Sequence, residues 1–140
     1  MNPKRILIVD NDQNLVDCLS DECRRIGLEV QTANSVYAAM ATLDQGFPDL
    51  ICLDVHMPSD NGLSVCEMIS TDAVAAKIPV IVLSDSISRE DIRKCGTLCA
   101  YYVKKSDQNW RRIQPIIYEL IDIDPPVVET TGEVCRGDEA

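Results

Sequence analysis

Four places in this chain of 140 residues set reactive side chains directly after a short apolar run. Asp10, Asn11 and Asp12 follow "ILIV", Asp54 follows "LICL", Ser84 and Asp85 follow "VIVL", and Lys104 and Lys105 follow "AYYV". Ending a buried run on a carboxylate costs free energy unless the acid has a partner. Carboxylates brought together repel and raise one another's pKa. A hard divalent cation removes that repulsion. Mg²⁺ takes oxygen ligands in octahedral geometry, keeps several waters, and suits one or two carboxylates with phosphate oxygens. A carboxylate beside Mg²⁺, an ammonium and a hydroxyl is equipped to accept a phosphoryl group as an aspartyl phosphate. The cations and the hydroxyl would stabilise its equatorial oxygens.

These residues meet only if the runs before them are neighbouring strands. Ile6–Val9, Leu28–Thr32, Leu50–Leu53, Val80–Leu83 and Ala100–Val103 are four or five residues long and carry recurrent β-branched residues, which predicts strands. Three are apolar throughout, as for central strands covered on both faces. Helical spacing fills the gaps. Leu15, Cys18, Leu19, Glu22 and Ile26 line one face, ended by Gly27. Val36, Ala39, Met40 and Leu43 line the second, and Leu63, Cys66 and Ile69 the third. The fourth opens with a capping box, Ser88 to Asp91, and has a thin apolar face of Ile92 and Cys95. The fifth spans about Asp107 to Ile121, with Trp110, Ile113, Ile117 and Leu120 inward and Pro115 expected to kink or delay it. The alternation predicts a doubly wound (βα)5 fold: a five-stranded parallel sheet in three α/β/α layers. Ligands bind beyond the carboxyl ends of such strands, where the reactive residues lie.

Composition narrows the function. The formal net charge of -10 argues against a nucleic-acid surface, which needs a basic stripe. Aromatics are 4% of residues, so the core must be aliphatic with Cys and Met as filler. The seven cysteines form no Cys-x-x-Cys and meet a single histidine, which reads as small buried hydrophobes in a reducing compartment, not a disulfide or zinc scaffold. No signal peptide or membrane span is visible, so a cytoplasmic protein is expected. Residues 1–123 read as one domain. Residues 124–140 hold five acids against one arginine and no period, and are expected to be a disordered acidic tail.

Each reactive residue also has an ordinary reading. Asp10 can bond nearby amides at a strand end, Asp12 is favoured as a helix N-cap, and Asp54 can cap a turn. Ser84 and Lys104 mean little alone. Taken in order, "ILIVDND", "LICLDVHMPSDNG", "IPVIVLS" and "AYYVKK" resemble the receiver (CheY-like) domain of two-component response regulators, over about Lys4 to Ile121. The resemblance implies a flavodoxin-like fold and the following roles. Asp54 is the phosphoryl acceptor, followed by the usual Met57-Pro58 and Gly62. Mg²⁺ is required, held by Asp10, Asn11, Asp54 and the His56 carbonyl. Ser84 and Lys104 assist the chemistry, and Ser84 and Tyr101 form the switch that alters the face of the fourth helix, fifth strand and fifth helix. The donor is a sensor histidine kinase or histidine phosphotransfer protein. Output runs in trans through a protein target, by a monomer or a phosphorylation-dependent dimer, without direct nucleic-acid or membrane contact.

Four positions depart from the family pattern. Asn11 stands where a second acid is usual, Asp85 where a small residue is usual, and Lys105 where a proline usually follows the lysine. The glycine before the fifth strand is shifted to Gly96. Asn11 and Asp85 leave room for a receiver-like interaction module that works without phosphorylation. A HAD-like phosphatase with Asp10 as nucleophile and Asp12 as acid/base also fits "ILIVDND", but leaves Asp54-Val-His-Met-Pro unexplained.

Overall fold

Three strands form the dry centre. The computed structural model describes residues 3–57, 60–86, 88–95 and 99–123. In it β1 (Arg5–Val9), β3 (Leu50–Leu53) and β6 (Val80–Ser84) are buried almost end to end. β2 (Glu29–Ala33) is half exposed, as an edge strand should be. With β7 (Cys99–Lys104) they make a parallel sheet of order β2-β1-β3-β6-β7. The order reverses direction beside β1, between β1 and β3, so the carboxyl ends of those two strands border the crevice where ligands bind in such sheets. A two-stranded antiparallel ribbon, β4 (His56–Met57) with β5 (Asp60–Asn61), follows β3 and was not expected from the spacing.

Helices cover both faces. Side chains alternate along each strand, so each strand contributes to two separate cores. Leu7, Val9, Ile51, Leu53, Val80 and Val82 pack with α2 (Val36–Asp44) and α3 (Leu63–Ser70). Ile6, Ile8, Leu50, Cys52, Ile81, Leu83 and Val103 pack with α1 (Gln13–Arg25) and α5 (Asn109–Leu120). α4 (Arg89–Cys95) opens as expected: Asp91 N–H donates to Ser88 Oγ at 3.0 Å and Ser88 N–H to Asp91 Oδ2 at 3.3 Å. The side chains of Ile92 and Cys95 lie outside the described residues, as do Pro58, Gly96 and the tail from 124.

One expectation is corrected. α1 buries Val16, Leu19, Ser20 and Cys23, a stripe rotated by one residue from the one expected, and Cys18 is exposed. Both stripes share Leu19, the buried Ile26 and helical spacing; the chosen one brings Val16 and Cys23 inward at the expense of a buried serine. α5 is a single helix with Pro115 inside it, on the exposed side, where water can serve the carbonyl it leaves without an amide.

Candidate phosphoryl-acceptor site

Three residues each stand one position past a strand and keep that strand's ladder going by one more bond. Asp10 N–H donates to Ala33 O (3.0 Å), Asp54 N–H to Val9 O (2.9 Å) and Lys105 N–H to Ser84 O (2.9 Å). Counting by twos, Asp10 follows Ile6 and Ile8, Asp54 follows Leu50 and Cys52, and Lys105 follows Val103, all on the α1/α5 face. The three side chains therefore converge. Lys105 Nζ lies 2.9 Å from Asp10 Oδ2 and 3.1 Å from Asp54 Oδ2. Both carboxylates are buried, at 3% exposure.

The ammonium in this cluster is Lys105, where Lys104 was expected. Lys104 pairs with Ser84 and faces the opposite side of the sheet, exposed. The cause is a register shift: Val80 pairs with Cys99 but Ile81 with Tyr101, so Ala100 is an extra residue in β7. The same shift displaces the tyrosine expected to form the switch. Tyr101 faces α5, where its hydroxyl donates to the Glu119 carboxylate. Tyr102 shares the face of Ser84, and its hydroxyl donates to Ser84 O at 3.4 Å. A signal for this was present in the sequence. Val103 is the one aliphatic residue in "YYVKK", so it must face a core, and Lys105, two residues on, must share its face.

The remaining expected residues sort clearly. Ser84 is buried and donates its hydroxyl to Ser86 O (3.1 Å), turned away from the carboxylates. Asp12 caps α1, accepting from Leu15 N–H (3.2 Å), while its own N–H donates to Asp10 Oδ1 (2.9 Å). Asn11 and Asp85 are exposed at the rim. His56 opens the ribbon that turns back through Gly62, whose N–H donates to Val55 O (3.0 Å). Among the described residues no three His, Cys, Asp or Glu side chains gather to hold a metal. The donor set is instead two buried carboxylates, already sharing one cation, with an amide oxygen next to one of them in sequence. That set of hard oxygens fits an ion that keeps several waters.

The family profile for the response regulator receiver domain matches residues 6–109. The chain belongs to that family. Among curated relatives, the receiver is 38% identical over 80 residues to the DNA-binding dual master transcriptional regulator RpaA of Synechocystis. That stretch is 57% of this chain and 33% of RpaA, so the chain spans about a third of that relative's length. Among solved structures, TrrA of Thermotoga maritima in complex with Mg²⁺-BeF is 29% identical with a TM-score of 0.72, over 84% of this chain and 99% of that one. The phosphorylated cyanobacterial phytochrome response regulator RcpA is 28% identical with a TM-score of 0.76, over 89% and 99%. No helix among the described residues is long and apolar enough to cross a membrane.

Electrostatics of the receiver site follow from burial. Desolvation pushes the Asp10 carboxyl above its usual value, against the lowering effects of the Asp12 N–H and Lys105. Burial pulls the Lys105 ammonium down, but its bonds to Asp10 and Asp54 outweigh this and leave it above 10.5. Cys52, behind the acids, is pushed up by burial and stays an inert thiol. A carboxyl that holds its proton more tightly when folded loses stabilising effect as pH rises from its unfolded value of 3.8 through the raised folded value. Asp10→Asn is therefore expected to raise the urea midpoint at pH 7, with the gain shrinking towards pH 3. An unchanged or lower midpoint at pH 7 would count against this desolvated charge.

Asn11 sets a second expectation. Its amide oxygen can coordinate a cation but brings no charge. Asn11→Asp should tighten Mg²⁺ binding by about tenfold, roughly one charged ligand's share at partly exposed distance. Titration of Trp110 fluorescence with Mg²⁺ measures it; equal affinities in the two proteins would show that position 11 does not reach the ion.

Proposed function

We propose that this receiver takes a phosphoryl group on Asp54 from a sensor histidine kinase or histidine phosphotransfer protein and passes the change to a protein partner. The observation that carries this reading is Lys105 Nζ held between two buried carboxylates at the carboxyl end of the sheet. An Asp54 carboxylate oxygen attacks phosphorus. The new O–P bond forms as the N–P bond to the donor imidazole breaks, and the imidazole takes up a proton. Mg²⁺, when bound through Asp10, Asp54, Asn11 and the His56 carbonyl, supplies charge neutralisation for the phosphoryl oxygens. Lys105 is already aimed at Asp54 and keeps its proton at neutral pH, so it offers a fixed positive charge to the same oxygens. Ser84 must exchange its bond to Ser86 O for one to the phosphoryl group. Tyr102, on the same face, is the aromatic placed to respond, where the sequence pointed to Tyr101.

The chain's acidity argues against direct nucleic-acid contact by this domain. The phosphatase reading is not favoured, since both Asp10 oxygens are engaged, one by Asp12 N–H and one by Lys105. The second reading is a receiver that binds partners without phosphorylation, and Asn11 is its support. Beryllofluoride, a phosphoryl mimic, separates the two. With millimolar Mg²⁺ it should bind the wild-type protein, seen by fluorine NMR, and leave Asp54→Asn untouched. Absence of binding to the wild type would overturn the acceptor reading in favour of the second.

A further inference from the structure

α5 carries features that the acceptor chemistry leaves unused. It begins four residues after Lys105, across a turn tied by side chains: Ser106 N–H donates to Asn109 Oδ1 (2.8 Å) and Gln108 N–H to Ser106 Oγ (3.0 Å). Its first half is thus linked closely to the ammonium at the site. Ile113 and Ile117 seat both halves in the same core, and the second half carries a further tie to β7. Tyr101, from the side of β7 that faces away from Ser84, donates its hydroxyl to Glu119 in the last turn, and Ile117 is fully buried. Between the halves sits Pro115, which has no N–H for the carbonyl of Arg111. The helical ladder is weakest there, and helices bend preferentially at proline.

We propose that α5 acts in two parts about Pro115: residues 109–114 follow Lys105 when the site is filled, and residues 116–120 stay anchored to β7 by Tyr101 and Glu119. The first half bears Trp110, packed on the core, and the exposed Arg111 and Arg112. It would present a basic pair on an otherwise acidic molecule, in a position that depends on the state of Asp54. The coupling to site filling rests on the acceptor reading. The two-part helix does not.

Hydrogen exchange on the full chain tests both. Without ligand, Tyr101→Phe should speed exchange of amides 116–120 about three- to tenfold, the worth of one hydrogen bond, and leave 109–114 unchanged. Pro115→Ala, which restores the missing backbone donor, should make the effect of Tyr101→Phe uniform along α5. A uniform effect already in the Pro115 background overturns the two-part helix, as does no effect at all. With Mg²⁺ and beryllofluoride, the change should fall on 106–114 and spare 116–120. A change around Asp54 shared equally by both halves also overturns the proposal. If no segment responds, Asp54 included, the acceptor reading has failed, and the ligand-free comparison alone decides the two-part helix.

Discussion

Lys105→Ala should slow phosphorylation of Asp54 about 100-fold, the usual loss when one preorganised positive or donor group is removed from developing charge. Lys104→Ala should leave the rate within about twofold, because its ammonium lies on the far face and is screened by solvent. Time courses with a small phosphodonor or a phosphorylated histidine domain, at saturating Mg²⁺, measure both. The geometry behind the contrast is simple. Lys105 Nζ is within 3.1 Å of Asp54 Oδ2, with its side chain 15% exposed. Removing it takes away the cation that the two buried carboxylates share, so Lys105→Ala should also lower stability and raise the dependence on Mg²⁺. Equal losses in the two variants, or a larger one for Lys104→Ala, would mean that β7 takes the other register in solution.

Gly62→Ala should destabilise the domain by about 1–3 kcal/mol, the range for forcing an extra methyl into packed backbone, and weaken Mg²⁺ binding as well. The backbone at Gly62 is ordinary, with φ of -58°, so conformational freedom is not the reason. The reason is space. A Cβ there would sit 2.9 Å from Val55 Cα and closer still to the carbonyl oxygen of Asp54. Those are backbone atoms of Asp54 and Val55 and cannot swing aside. Relief requires moving the ribbon, with the His56 carbonyl that the proposed Mg²⁺ site would use, away from Asp54. Gly46→Ala is the control. Its φ of 147° makes alanine strained, yet open space surrounds it and it precedes β3, at the opposite end of that strand from Asp54. It should cost about 1 kcal/mol and leave Mg²⁺ affinity alone. A denaturant series with metal titrations on both variants decides the matter. A Gly62→Ala protein with wild-type stability would show that the ribbon does not pack against Asp54 as described.

Much of the site is legible in the order of residues alone. Asp10, Asp54 and Ser84 end unbroken apolar runs, and a polar residue in that position must be answered by a neighbour. The parallel sheet is legible for the same reason: runs too short for helices, apolar on both faces, separated by helical spacing. The buried stripe of α1 is harder. Leu15 and Cys18 or Val16 and Cys23 can each complete a face with Leu19, and the hydrophobicity of the two sets is nearly equal. What separates them is the crossing of α1 over β1, a tertiary fact.

The order of elements and the placing of Asp10 and Asp54 at buried strand ends follow from the chain itself, because burial and chain order leave few alternatives for them. The segment "YYVKK" also contains two tyrosine–lysine pairs at the same spacing, Tyr101 with Lys104 and Tyr102 with Lys105. Spacing cannot choose between them, since sliding the strand by one residue exchanges one pair for the other. Packing of the whole domain selects Tyr102 and Lys105, by placing Val103 in the α1/α5 core and taking up Ala100 as an extra residue against β6. Because side chains alternate along a strand, that single residue sends one lysine to the buried acids and the other to solvent.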